Sequence, residues 1–446
     1  MYCIAIVGRP NVGKSTLFNR IVGGRPAIVD DTPGVTRDRN ISRATWRGRS
    51  FLVIDSGGFE PEAEDEIMAQ IREQAIVAIE EADTIFLVVD AMAGITPVDA
   101  DVAMRLRSSG KPVTVVVNKA DDPGKNIYAH EFSRMGFERI RPVSAEHNLG
   151  VEDLLREALA DVPPDPEVTG EEPVDNVIRL AVAGKPNVGK SSLINRLLGS
   201  RRMMVSDVPG TTRDAIDSEF EADGRKWVII DTAGIRRKAK VTMKLEKYSV
   251  IMAMKAIERA DVALLVVDGQ EGAAMQEAKI AGLVEDAGKA CVIVVNKWDV
   301  VEKDHKTAIQ AEEALRRQLK FLAYAPALFV SAKSGQRVTK ILKKAEEVYT
   351  QYTKRLPTSK LNEIVRRAVE QKEPPVASGK RLKIYFATQP TVKPPTFVLM
   401  TNMPDDVHFS YQRYLINRIR EEGGFDLSPI RILFRRPSGR RTGEQR

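Results

Sequence analysis

Two eight-residue segments of one form, Gly8-Arg9-Pro10-Asn11-Val12-Gly13-Lys14-Ser15 and Gly184-Lys185-Pro186-Asn187-Val188-Gly189-Lys190-Ser191, lie 176 residues apart in this chain. Both fit G-x-x-x-x-G-K-[ST], the loop whose backbone N–H groups cradle phosphates while its Lys reaches the β/γ oxygens and its hydroxyl ligates Mg²⁺. One chance match in a chain of this length has odds on the order of one per cent; two copies with matching downstream partners are not chance. Each loop follows a short apolar run, Cys3 to Val7 or Ile178 to Val182, and precedes a helical spacing, Leu17/Ile21 or Leu193/Leu197. The order is strand, loop, helix.

Further apolar runs, Phe51 to Ile54, Ile85 to Val89 and Val113 to Val117, recur as Trp227 to Ile230, Ala263 to Val267 and Cys291 to Val295. Continuous apolar strands between helical stretches predict a mostly parallel sheet covered on both faces. The expected fold class is α/β: two tandem doubly wound domains, at 1–162 and 176–354. Between them an acidic, Pro-rich linker is expected at 163–175, since Asp161 to Asp175 holds four prolines and six acidic residues with no basic one.

After residue 354 the pattern changes to a helix-like Leu361 to Val369, strand-like Leu382 to Thr388 and Phe397 to Thr401, a helix-like Tyr411 to Arg420 and a strand Ile430 to Phe434. A small α+β domain is expected over 355–436, with a mobile basic tail at 437–446. The net charge of +7 is uneven: from Arg355 to Arg446 there are 18 Lys/Arg against 9 Asp/Glu, a local +9, which leaves −2 for the first 354 residues. Such asymmetry points to a polyanionic partner such as nucleic acid, with a solvated basic face as the alternative.

The two cysteines, Cys3 and Cys291, lie in separate apolar runs without metal-type spacing, which fits a reducing cytosol. The four scattered histidines read as surface or packing groups. With a strand beginning at Tyr2 and no apolar stretch of about 18 residues, the chain is expected to be cytoplasmic and to have no membrane partner.

A phosphate loop alone leaves kinases, ATPases and GTPases open. Asp55-Ser56-Gly57-Gly58 and Asp231-Thr232-Ala233-Gly234 supply D-x-x-G, in which the acid holds Mg²⁺ through water and the last glycine N–H senses the γ-phosphate. Asn118-Lys119-Ala120-Asp121 and Asn296-Lys297-Trp298-Asp299 choose the base. A carboxylate at Asp121 or Asp299 accepts from guanine N1–H and N2–H₂ but is left unpaired against adenine, so GTP is favoured over ATP. The Lys stem can lie on the base, and Ser144-Ala145 and Ser331-Ala332 close the base site with backbone donors. Between loop and D-x-x-G, Thr36 matches Thr212 by the same 176-residue offset, a loop threonine expected to complete Mg²⁺ coordination with γ-phosphate bound. The expected catalytic set is thus Lys14, Thr36 and Gly58, and Lys190, Thr212 and Gly234; Ser15, Thr36, Ser191 and Thr212 would ligate Mg²⁺ directly, Asp55 and Asp231 through water.

These motifs resemble the translation-factor class of P-loop GTPases, and two such domains before a small basic one are similar to the Der (EngA) family of bacterial ribosome-assembly GTPases over essentially the whole chain. The resemblance implies GTP hydrolysis, a KH-like third domain, and partners in the large ribosomal subunit, rRNA and ribosomal proteins, with a monomer expected. No G-x-x-G loop follows Arg355, so a KH domain's usual nucleotide clamp is missing. A Ras-like Gln after D-x-x-G is missing too, its places being taken by Phe59 and Ile235. Asn11 and Asn187 stand where related GTPases place a K⁺ ligand, so K⁺ is the expected second cofactor, with an Asn that only braces the loop as the alternative. Acidic Glu60, Glu62, Glu64, Asp65 and Glu66 follow the first D-x-x-G and basic Arg236, Arg237, Lys238 and Lys240 the second, either solvated runs or a nucleotide-dependent docking pair. A tRNA-modification-associated, K⁺-dependent GTPase is the alternative function.

Overall fold

The computed structural model describes residues 2–23, 41–56, 82–120, 131–164, 177–199, 217–231, 246–273, 275–301, 307–374, 376–377 and 380–437. The chain forms two compact units, Met1–Glu167 and Val168–Arg446.

In the first unit six strands, β1 (Tyr2–Val7), β2 (Ile41–Trp46), β3 (Arg49–Asp55), β4 (Thr84–Asp90), β5 (Val113–Asn118) and β6 (Arg139–Pro142), lie in the order β2-β3-β1-β4-β5-β6. All pairings are parallel except β2 with β3. Every residue of β4 and β5 is buried, as a sheet covered on both faces requires. Helices α1 (Lys14–Val22), α2 (Pro97–Ser108) and α3 (Val151–Ala158) accompany them. Leu17, Phe18 and Ile21 of α1 and Leu154 and Leu155 of α3 join Ile4, Ile6, Phe51, Val53, Phe86 and Val88 in one core.

The second unit repeats this plan in β7 (Val177–Ala183), β8 (Ser218–Ala222), β9 (Arg225–Ile229), β10 (Val262–Asp268), β11 (Ala290–Asn296) and β12 (Ala327–Phe329), ordered β12-β11-β10-β7-β9-β8. Its helices are α4 (Lys190–Gly199), α5 (Glu246–Arg259), α6 (Met275–Asp286), α7 (Thr307–Gln318) and α8 (Thr339–Tyr352). Two buried clusters, one around Trp227 and Tyr349 and one around Ile257 and Trp298, cover the sheet. A short connection leads from α8 to α9 (Thr358–Gln371), which packs with α10 (Phe409–Gly423) on a three-stranded sheet. That sheet joins β15 (Ile384–Val392), β16 (Pro395–Thr401) and β17 (Arg431–Arg435), after the short hairpin β13 (Val376–Ala377) and β14 (Lys380–Arg381). The β15–β16 pairing is antiparallel and β16–β17 parallel, and Leu361, Ile364, Phe397, Leu399, Leu415 and Phe425 form the core. Gly424 takes the left-handed conformation, φ 68°, and ends α10.

The α/β architecture with a small α+β C-terminal domain is therefore as expected. The apolar runs fall inside the observed strands, except that β9 stops at Ile229, one residue short of the expected Ile230, β15 begins at Ile384, two residues after the buried Leu382, and β17 begins at Arg431, one residue after Ile430. The antiparallel edge strands β2 and β8 escape a search for apolar runs because edge strands need little burial: only Ala44 in β2, and Phe220 and Ala222 in β8, are buried. The expected linker lies largely outside the described residues, as do the tail after Pro437 and the two charge runs. Among the described residues no helix is long and apolar enough to cross a membrane.

Candidate functional site

Both phosphate loops stand between a buried central strand and a helix whose first residue is the motif lysine. Close approach dictates the glycines. A Cβ at Gly8 would lie 2.3 Å from the Val88 carbonyl oxygen and one at Gly184 2.4 Å from that of Val266, while at Gly13 and Gly189 it would lie 2.2 and 2.3 Å from Nδ2 of Asn118 and Asn296. No side chain fits there, so backbone N–H groups line a concavity at a helix N-terminus, the arrangement that binds phosphate. Val12 and Val188 are buried beneath the loops, whereas Pro10, Asn11, Pro186 and Asn187 are exposed. Asn11 and Asn187 both hold φ at 63°.

Lys14 is buried and donates from Nζ to the Arg9 carbonyl at 2.7 Å; Lys190 donates to the carbonyls of Gly184 at 2.8 Å and Lys185 at 2.6 Å. Burial lowers the proton affinity of Lys14, the neighbouring Arg9 charge lowers it further, and Asp55 opposes both. Ser15 Oγ donates to Asp55 Oδ2 at 2.8 Å. A hydroxyl and a carboxylate in contact beside the lysine are a hard-oxygen donor set, and these residues fit Mg²⁺. Ser56 lies just past β3, its N–H on the Ile6 carbonyl. In the second domain Asp231 follows the strand with φ 55°, and its N–H donates to Asp217 at 3.0 Å.

The base-side motif has a structural role in the fold. Asn118 donates from Nδ2 to the Val12 carbonyl at 2.8 Å and accepts the Ala145 N–H at 3.0 Å; Asn296 does the same with Val188 at 2.8 Å and Ala332 at 2.9 Å. Ser144 N–H bonds the Leu149 carbonyl and Ser331 N–H that of Gln336. The backbone donors expected to face the base are thus held by protein acceptors, and the loop that closes the site is tied to the phosphate loop through one buried amide. Lys119 bridges Asp90 at 2.7 Å and the Asn11 carbonyl at 3.0 Å, and Lys297 pairs with Asp268 at 2.7 Å. Burial alone would raise the pKa of Asp90 and Asp268, but the lysine hydrogen bond, the backbone N–H groups and the lysine charge together hold both below the usual carboxylate range.

Asp299 is exposed at the end of its motif. Thr36, Gly57, Gly58 and Asp121, and Thr212, Thr232, Ala233 and Gly234, lie outside the described residues, as do Phe59 and Ile235. Three pairs of residues that bond to the motifs or lie buried near them stand outside the motifs read from the sequence. Asp90 and Asp268 end the apolar strands β4 and β10, and Arg20 and Arg196 bond the carbonyls of Ala145 and Ala332 at 3.0 and 3.3 Å. Asp99 and Glu277 are buried acids on helices. The available signal was recurrence: Arg20 and Arg196 keep the 176-residue offset of the lysines.

Comparison with known proteins matches three segments of the chain. Residues 3–119 and 179–297 each match the family described as "50S ribosome-binding GTPase", and 355–435 match "KH-domain-like of EngA bacterial GTPase enzymes, C-terminal". The chain is 51% identical to GTPase Der of Geobacter metallireducens over 98% of both chains. It is 52% identical to GTPase Der of Trichlorobacter lovleyi over 97% of this chain and 95% of that one, and 51% identical to GTPase Der of Moorella thermoacetica over 97% and 98%.

Proposed function

The chain belongs to the GTPase Der family, and on that premise we propose that it is a two-site GTP-hydrolysing factor acting in assembly and maturation of the large ribosomal subunit. The observation that carries this reading is the repeated tie from phosphate loop to base-closing loop through Asn118 and Asn296. One buried amide forces triphosphate grip and base recognition to form together. The alternative of a tRNA-modification-associated GTPase is not favoured, because near-full-length likeness is to GTPase Der.

In this reading Lys14 and Lys190 neutralise the β/γ oxygens, Gly58 and Gly234 donate to the γ-phosphate, and Asp121 and Asp299 select guanine. Ser15, Thr36 and Asp55, and Ser191, Thr212 and Asp231, would hold Mg²⁺, which supplies charge neutralisation between the phosphates. Apolar Phe59 and Ile235 cannot orient water, so intrinsic turnover is slow, and Asn11 and Asn187 would hold a K⁺ whose charge would offset that lack. The domains run over 1–162, 176–354 and 355–436, joined by 163–175, with a basic tail at 437–446. The basic C-terminal part meets rRNA or ribosomal protein, and the protein works as a cytoplasmic monomer.

Equilibrium dialysis of the full chain tests the core of this. Two guanine nucleotides should bind per chain, Lys14→Ala and Lys190→Ala each removing one. A wild-type stoichiometry of one, or adenine nucleotides held as tightly, would overturn the reading. Co-sedimentation with large subunits should depend on the nucleotide, and hydrolysis should be faster in KCl than in NaCl; equal rates would remove the K⁺ role.

A further inference from the structure

One arrangement outside the nucleotide motifs recurs in both GTPase domains. Asp99 is the third residue of α2 and Glu277 the third of α6, and each lies nine residues after the strand-end aspartate, Asp90 or Asp268, that pairs with the base-side lysine. Their relative exposures are 1% and 0%. Each faces the first variable residue of its phosphate loop: Arg9 Nε lies 3.4 Å from Asp99 Oδ2, and Lys185 Nζ 3.5 Å from Glu277 Oε1. The carbonyl of that same residue accepts the phosphate-loop lysine, Arg9 from Lys14 and Lys185 from Lys190. A path of contact therefore runs from buried acid through cation and carbonyl to the lysine that meets phosphate.

Helix capping explains part of this but not all. Asp99 Oδ2 accepts from Thr96 N and Oγ1 at 3.1 and 2.7 Å, a capping box. Capping gives no reason for the facing residue to stay cationic, nor for both members to change together, Arg with Asp in one domain and Lys with Glu in the other. Among the described residues Asp99 Oδ1 and Arg9 Nε are buried with no hydrogen-bond partner. Such an atom is costly unless a nearby charge offsets it, and Arg9 is the cation in reach. Lys185 is also bonded to the exposed Glu271, which together with Glu277 keeps it firmly protonated.

We propose that Asp99 and Glu277 are positioning residues that, through Arg9 and Lys185, fix the carbonyls on which Lys14 and Lys190 rest, so that each acid sets nucleotide affinity in its own domain. The proposal rests on the phosphate loops binding guanine nucleotide. Beyond placement, each acid neutralises a cation beside the phosphate-loop lysine.

The test uses the full chain with Lys190→Ala, so that only the first site reports, and titrates a fluorescent GDP analogue. Asp99→Asn keeps a capping oxygen for Thr96 and removes the charge. It should weaken binding by about tenfold with little change in melting temperature. In an Arg9→Met background the same change should have no further effect, and Arg9→Lys with Asp99→Glu, the pair of the second domain, should restore affinity to within about threefold. Glu277→Gln in a Lys14→Ala background repeats the measurement independently and carries it if Asp99→Asn fails to fold. Unchanged affinity in both acid variants, or an equal loss with and without Arg9, would overturn the proposal. Absence of guanine-nucleotide binding by the parent variants would instead reject the nucleotide reading beneath it.

Discussion

Asn118 reaches across 106 residues to place its Nδ2 2.8 Å from the Val12 carbonyl, and its Oδ1 takes the N–H of Ala145. Asn118→Ala would strand both backbone groups at a cost of about 1–3 kcal/mol each. The first site should then lose at least about tenfold in guanine-nucleotide affinity, about 1.4 kcal/mol being tenfold, while the second is unaffected. Two unchanged dissociation constants in a calorimetric titration would contradict this.

Lys393 ties the C-terminal domain to the second GTPase domain. Its Nζ lies 3.0 Å from Asp261 Oδ1 and 5.0 Å from the Tyr349 ring centre. Burial alone would lower its proton affinity, but the Asp261 charge and the bonds to Tyr349 and Asp261 raise it above the ordinary lysine value. Lys393→Met should cost about 1–3 kcal/mol, discounted from a fully buried pair for its residual exposure. The melting transition of that unit should fall by roughly 3–10 °C. Because the folded value is raised, the wild-type contribution is complete below the unfolded pKa near about 10.4 and disappears as pH climbs through the folded one. The gap between wild type and variant should therefore close in strong alkali, which melting curves at successive pH values would check.

Asp90 and Asp268 give the opposite sign. Their folded pKa values are depressed, so the stabilisation from pairing with Lys119 and Lys297 is complete above the unfolded value near about 3.9 and is lost as pH falls through the folded value. Asp90→Asn should remove its share at neutral pH and flatten the acid limb. A variant whose stability falls with acid as steeply as the wild type would show that the pair contributes nothing.

Both cysteines are fully buried, and burial pushes the Cys291 thiol up to about 12. With almost no thiolate at neutral pH, it should resist alkylation in the native protein and react at once in denaturant. Rapid native labelling, followed by mass spectrometry, would mean that the strand opens far more readily than its packing implies.

Much of this was written along the chain. Phosphate loops, D-x-x-G and N-K-x-D are local strings, and β4, β5, β10 and β11 are buried throughout because both sheet faces are covered. The edge strands β2 and β8 left no such trace, since among the described residues one side of each meets no further strand. Asn118 was read for its neighbourhood to the base, and its second task as a clamp needed the strand order to be known.

The sequence alone determined two tandem P-loop domains, a different basic domain after them, and the short motifs proposed to meet phosphate and base. Those features depend on periodicity and short spacing, which the chain carries without folding. Only the tertiary structure decided that Asp99 answers Arg9, that Glu277 answers Lys185, and that Lys393 finds Asp261. These partners lie 90, 92 and 132 residues apart. Whether such charges meet depends on strand order, register and helix placement, and a buried ion pair is settled by distances of a few ångströms that no local pattern specifies.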